Sequence, residues 1–204
     1  VQNTILKKYR FKSTVIHPGL DPAVYKPNPK VNREENLVLF VAGRKNMHRL
    51  KGLYYLIDAI KDLPEIKLHI VGEKRDFMDK RLISLGVKRG KDLVEEMQKA
   101  TLVALPSIAE QEGFPMVLIE AMACQTPVVG TNLGGIPEVI SDGINGFIVP
   151  ANDSHALAQA ISRILADKEL ATRMGHYGAA KVRETLTWDT RVALTKEVFE
   201  LCLK

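Results

Sequence analysis

The sequence predicts an α/β fold, a Rossmann-like doubly wound parallel sheet with helices on both faces. Three observations carry this. Short apolar runs alternate with amphipathic stretches along the chain. Two of those runs, Leu37–Ala42 (LVLFVA) and Thr101–Leu105 (TLVAL), are apolar almost without interruption, as strands covered on both faces are. The length of 204 residues with 46% apolar side chains also supplies one sizeable core.

Taken in order, Thr14–His17 is a short strand candidate. Leu37–Ala42 is a stronger one, bounded by the polar loop Lys26–Glu35 before it and Gly43 after it. Lys51–Leu63 carries Leu53, Leu56, Ile57 and Ile60 at helical spacing. Lys67–Val71 reads as a strand ending at Gly72, and a further strand ends near Leu85. Between them, Lys74–Lys80 leaves little room for a crossover helix. Lys91–Lys99 is helical, and Thr101–Leu105 is a strand closed by Pro106. Pro115–Cys124 is a helix, because proline at the first turn gives up an N–H that would lack a partner there. Pro127–Gly130 and Gly146–Val149 are strands flanking a short helix at Ile136–Ile140. From Asp153 the chain turns helical: a stripe of Leu157, Ile161, Ile164 and Leu165, a helix over Glu169–Leu186, and a last one from Trp188 to Leu203.

Composition narrows the function. Charged residues make up 26% and the net charge is +5, an excess that suits phosphates without demanding nucleic acid. The basic run Lys74–Arg89 lacks interleaved stacking aromatics, so nucleic acid is not expected as a partner. Cys124 and Cys202 show no ligand spacing and imply a reducing, cytoplasmic home. His17, His155 and His176 share no ligand spacing either, so no metal site is expected; His69, in an apolar strand, reads as a satisfied core residue, and Trp188 as a packing anchor. No apolar run reaches bilayer length. The chain opens on Val1, and Ile5–Phe11 reads as the end of a helix begun earlier, so residues 1–13 are expected to be the remnant of a preceding element.

In a doubly wound sheet, ligands bind at the carboxyl ends of the strands. Three loops there carry chemistry. Within Ser107–Gly130 the helix after Pro115 is apolar almost all round, and Glu120 is its only charge. A carboxylate in such a place needs a partner: either adjacent ligand hydroxyls, from which it can accept twice, or a neighbouring Lys or Arg. Glu112 lies just before the helix; at a rise of about 1.5 Å per residue the two carboxylates should be on the order of 10 Å apart, the scale of a sugar with phosphates. Gly134-Gly135, between a strand and a proline-started helix, offers amides for an anion, or else simply a turn. Gly43–Gly52 (GRKNMHRLKG) is a basic loop in which Arg44 and Lys51 could reach a diphosphate, with Lys45, His48 and Arg49 crowding the same loop.

Together these stretches resemble the carboxyl-terminal, donor-binding domain of retaining GT-B glycosyltransferases, the family that includes phosphatidylinositol mannosyltransferases and sucrose synthases. VIHPGLDPAVYKP is similar to its lead-in, Gly, a hydrophobic residue and Asp, then an aromatic. GRKNMHRLKG is similar to its Gly-Arg…Lys-Gly loop, and PSIAEQEGFPMVLIEAMACQTPVV to its most specific motif, with Glu120 following Glu112 by eight residues. GGIPEVISDGINGFIVPANDSHALAQAI resembles the remainder. Gln125 stands where the family usually has glycine.

The resemblance implies a set of roles. Glu112 would be the catalytic group beside the donor sugar, with Gly113, Phe114 and Pro115 lining that pocket through their backbone. Glu120 would accept from the ribose hydroxyls, and Arg44 and Lys51 would neutralise the diphosphate. Leu85 and Gly86 would lie near the base, and Gly134 and Gly135 near the phosphates. The nucleotide-sugar donor is then a substrate, with no further cofactor and no metal. The domain would span residues 14–186, and the helix over 187–204 would pack toward an amino-terminal acceptor-binding domain absent from this sequence. The parent enzyme could also touch an anionic membrane surface through its basic face.

Overall fold

A computed structural model describes residues 14–43, 47–72 and 74–203. The expected helix end at Ile5–Phe11 lies outside them. Six strands, β1 (Leu37–Val41), β2 (Lys67–Val71), β3 (Leu82–Gly86), β4 (Leu102–Leu105), β5 (Val128–Thr131) and β6 (Gly146–Val149), form one sheet. Its order is β3-β2-β1-β4-β5-β6, and every pairing is parallel. The helices are α1 (Met47–Leu50), α2 (Leu53–Ile60), α3 (Gly90–Lys99), α4 (Met116–Ala123), α5 (Ile136–Val139), α6 (Ser154–Ala166), α7 (Lys168–Thr185) and α8 (Trp188–Cys202).

Alternation along the central strands builds two cores. Leu37 and Leu39 of β1 with Val103 and Leu105 of β4 face a core closed by α3, α4, α5 and the end of α7. Val38, Phe40, Leu102 and Ala104 face the opposite core, closed by α2 and α6. Phe40 and the two leucines are fully buried; each such side chain contributes about 1.5–3 kcal/mol relative to exposure. Asp153 and Asp167 cap α6 and α7 by accepting from Ala156 N and Leu170 N at 2.9 and 2.8 Å. Gln125 adopts φ 60°, the left-handed conformation a glycine would favour, so α4 ends as the family pattern requires without glycine.

Several boundaries differ from the sequence reading. Thr14–His17 is not a strand. The chain there has no regular structure, and Leu20 makes a bridge, donating to Leu186 O at 2.9 Å and accepting from Trp188 N at 3.1 Å. The helix expected over Lys51–Leu63 is shorter, Leu53–Ile60, and starts after Gly52, whose φ is 79°; a β-carbon there would lie 1.8 Å from Pro106 O. No helix joins β2 to β3 among the described residues. Trp188 is 54% exposed and anchors no core, and α8 has no buried residue at all. His69 is satisfied by Glu96, as expected, with Nδ1 2.8 Å from Oε2. No helix among the described residues is long and apolar enough to cross a membrane.

Candidate functional site

The strand order reverses between β1 and β4, and the crevice at their carboxyl ends is where a doubly wound sheet binds ligands. Two loops meet there. The loop after β1 carries Lys51, and the loop after β4 carries Ser107 to Pro115. Ile108 N donates to Leu50 O at 2.9 Å, and Gly52 packs on Pro106 O, so the two loops are fastened together.

At their junction Lys51 Nζ donates to both oxygens of Glu112, at 2.6 and 2.7 Å. The Ser107 hydroxyl, fully buried, donates to Glu112 Oε2 at 2.8 Å. Thr131 of β5 in turn donates to Ser107 O at 2.7 Å. The Glu112 side chain is only 7% exposed and Lys51 19%, so the pair is shielded but the ammonium still reaches solvent. Glu112 is thus held by a cation and a hydroxyl, not merely by the amino end of α4.

The glycine pair serves this loop more than an open anion cradle. Gly135 N donates to Glu112 O at 2.9 Å, which removes its amide from the expected set of free donors. Gly134 has φ 55°, and a β-carbon on it would lie 1.9 Å from Glu112 O. Gly113 is exposed with no atom within 4 Å of where a β-carbon would be; Phe114 is half-buried and Pro115 buried.

Among the described residues no lysine or arginine pairs with Glu120. The Tyr25 hydroxyl donates to it, and burial raises the Glu120 carboxyl above its ordinary value against the effect of that bond. Desolvation first, and the neighbouring Glu120 second, push Tyr25 up to about 12, so it stays a neutral donor. Leu85 and Gly86 end β3, two strands from β1; the Gly86 carbonyl accepts from Gly72 N at 2.9 Å. Arg44 and Lys45 lie outside the described residues. Arg49 is exposed, and His48 is buried in a T-shaped contact with Phe40.

Three side chains beside the site were not singled out for it by the sequence. Ser107 had a signal in the Pro-Ser of its motif, and Tyr25 is the aromatic of the lead-in. His17 had none: its ring stacks on Phe114 with centroids 3.9 Å apart, and its Nε2 lies 2.7 Å from Glu138 Oε2. Among the described residues no group of three or more His, Cys, Asp or Glu could hold a metal ion.

A parallel sheet in this order, with helices on both faces, is the Rossmann-like fold of GT-B glycosyltransferases. The family described as "Glycosyl transferases group 1" matches residues 24–181, and the chain belongs to it. An uncharacterised glycosyltransferase of Methanocaldococcus jannaschii is 31% identical over 160 residues, which cover 74% of this chain and 44% of that protein. Sucrose-phosphate synthase from Thermosynechococcus elongatus superposes with a TM-score of 0.85 at 25% identity, covering 99% of this chain and 56% of its own. The Anabaena protein HepE, solved with UDP and glucose, gives 0.78 at 25% identity, over 94% of this chain and 56% of its own. The chain spans about half the length of the curated relatives it matches.

Proposed function

We propose that this chain is the donor-binding half of a retaining glycosyltransferase that moves a hexose from a nucleoside diphosphate sugar, a UDP- or GDP-sugar, to an acceptor. The observation that carries this reading is the meeting of Lys51, Glu112 and the Gly113–Phe114–Pro115 backbone at the β1/β4 crevice. The HepE structure with UDP and glucose supports the ligand class.

In this reading the bond between the anomeric carbon and the diphosphate oxygen breaks, the acceptor oxygen bonds to that carbon, and the acceptor proton leaves. Negative charge grows on the departing diphosphate while the sugar becomes oxocarbenium-like. Lys51, with Arg44 from the same loop, meets that charge, and a fixed cation in a shielded crevice stabilises it more than water does. Glu112 stands beside the sugar hydroxyls and shares Lys51 with the diphosphate. Glu120 accepts from the ribose 2′- and 3′-hydroxyls, with Tyr25 holding its second oxygen. Leu85 and Gly86 border the base, and Gly134 borders the phosphates while Gly135 braces Glu112. The acceptor comes from a further domain, and the exposed Trp188, Val192 and Phe199 of α8 suit contact with it. Alone, the chain binds donor and transfers sugar poorly or not at all.

Calorimetric titration with UDP, GDP and ADP, and with their glucose and mannose conjugates, tests this. One nucleotide should bind, and Glu120→Ala and Arg44→Ala should each weaken it. No binding by any of them up to millimolar concentration would overturn the reading.

A further inference from the structure

The loop that carries Glu112 and Phe114 has few holds of its own. Gln111 and Gly113 are exposed, and nothing lies near the position of a Gly113 β-carbon. Apart from the buried Pro115 and the packing of Phe114 against the core, two clusters fix it. One is polar: Lys51 and Ser107 on the Glu112 carboxylate and Gly135 N on its carbonyl. The other is the stack of His17 on Phe114, with rings 5° from parallel and centroids 3.9 Å apart. His17 is itself tethered through Nε2 to Glu138, 2.7 Å away and 121 residues on in sequence. Its segment is pinned by Leu20 to the α7–α8 junction.

The two clusters differ in what a ligand does to them. A diphosphate arriving at Lys51 competes with Glu112 for the same ammonium, so the polar hold slackens as the site fills. The ring stack contains nothing that the ligand competes for. We propose that His17 is a positioning residue of the donor-sugar pocket, holding the Gly113–Phe114–Pro115 backbone in place through Phe114 while Lys51 turns to the diphosphate. This rests on the donor-binding reading above. It makes His17 matter for the sugar moiety and little for the nucleotide. Tyr25, eight residues along the same segment, faces Glu120 and so bears on the ribose.

The two roles separate in one titration series on the full chain: parent, His17→Ala, His17→Phe and Tyr25→Phe. Each is titrated with the nucleotide the parent binds best among UDP, GDP and ADP, and with the hexose conjugate that the parent binds best. His17→Ala should lower affinity for the conjugate about fivefold, the scale of one aromatic pair, and affinity for the bare nucleotide less than about twofold. His17→Phe keeps a ring on Phe114 without the Glu138 tether and should restore the conjugate to within about twofold of the parent. Tyr25→Phe should weaken nucleotide and conjugate by equal factors. A parent that binds no nucleotide overturns the donor-binding reading and this assignment with it. A parent that binds, with His17→Ala weakening nucleotide and conjugate alike or neither, overturns the His17 assignment alone. So does a selective loss that His17→Phe does not rescue.

Discussion

Replacing Lys51 by Met and Glu112 by Gln, singly and together, measures how far the centre of the site is a coupled unit. The ammonium lies 2.6 and 2.7 Å from the two carboxylate oxygens, with the side chains 19% and 7% exposed. Two unit charges roughly 3 Å apart attract by about 5 kcal/mol at an effective dielectric of about 20, and desolvation of both groups offsets part of that. We expect a net coupling of about 2 kcal/mol. Lys51→Met leaves a nearly buried carboxylate with the Ser107 hydroxyl as its remaining side-chain donor among the described residues, and should cost about 3 kcal/mol, or roughly 6–12 °C in Tm for a chain of this size. Glu112→Gln leaves an ammonium that still reaches water, and should cost about 1–2 kcal/mol. The double variant should lose less than the sum of the two. Urea unfolding with matched m-values gives the three differences. Additivity within about 0.5 kcal/mol would refute the view that the two charges depend on each other.

Other perturbations test neighbouring parts of the argument. Gly52→Ala puts a β-carbon 1.8 Å from Pro106 O at a φ of 79°, so it should destabilise the fold by more than about 2 kcal/mol; an unchanged melting temperature would refute the close approach of the two loops. Burial raises the Glu120 carboxyl, so the folded chain binds that proton more tightly than the unfolded one and stability falls as pH climbs from 4.5 through the raised value. Glu120→Gln should therefore be more stable than the parent at pH 7 in urea while its nucleotide affinity drops about tenfold; a stabilised variant with full affinity would assign Glu120 to structure alone. The bond with His69 holds Glu96 below its usual 4.5, so its stabilising contribution is complete above pH 4.5 and fades as pH falls through the lower folded value. Glu96→Gln should flatten the acid limb of a urea-midpoint profile below pH 4.5, and an unaltered limb would count against the pair.

The strands were legible because burial on both faces writes itself into the sequence as uninterrupted apolar runs, and α4 because Pro115 and a run apolar but for Glu120 mark it. The start of α2 after Gly52 was not, because the left-handed backbone there and its close approach to Pro106 O are set by packing that local sequence does not show. Thr14–His17 has the residues of a strand but no neighbour to pair with, and local propensity cannot supply one. Around the crevice, Lys51, Glu112 and Glu120 were singled out from loop position and charge. Their partners were not found, because Ser107, Tyr25 and Thr131 are ordinary polar residues whose meaning lies in what faces them. The glycine pair was read as an anion cradle or a turn, and its main neighbour is the Glu112 backbone.

The reversal of strand order between β1 and β4 also bears on how the molecule assembles. Within each half, from β1 to β3 and from β4 to β6, strands come together over short stretches of chain. Joining the halves pairs Val38 with Leu102 and Leu39 with Val103, across 64 residues. Loop closure costs more entropy over the longer span, so this seam should knit late, after each half has begun to take shape. Lys51 lies on one side of the seam and Glu112 on the other. The Lys51–Glu112 pair is therefore a property of the finished molecule alone: the half from β4 onward holds Glu112 by Ser107 and Gly135, but any opening along the seam parts it from Lys51 at once.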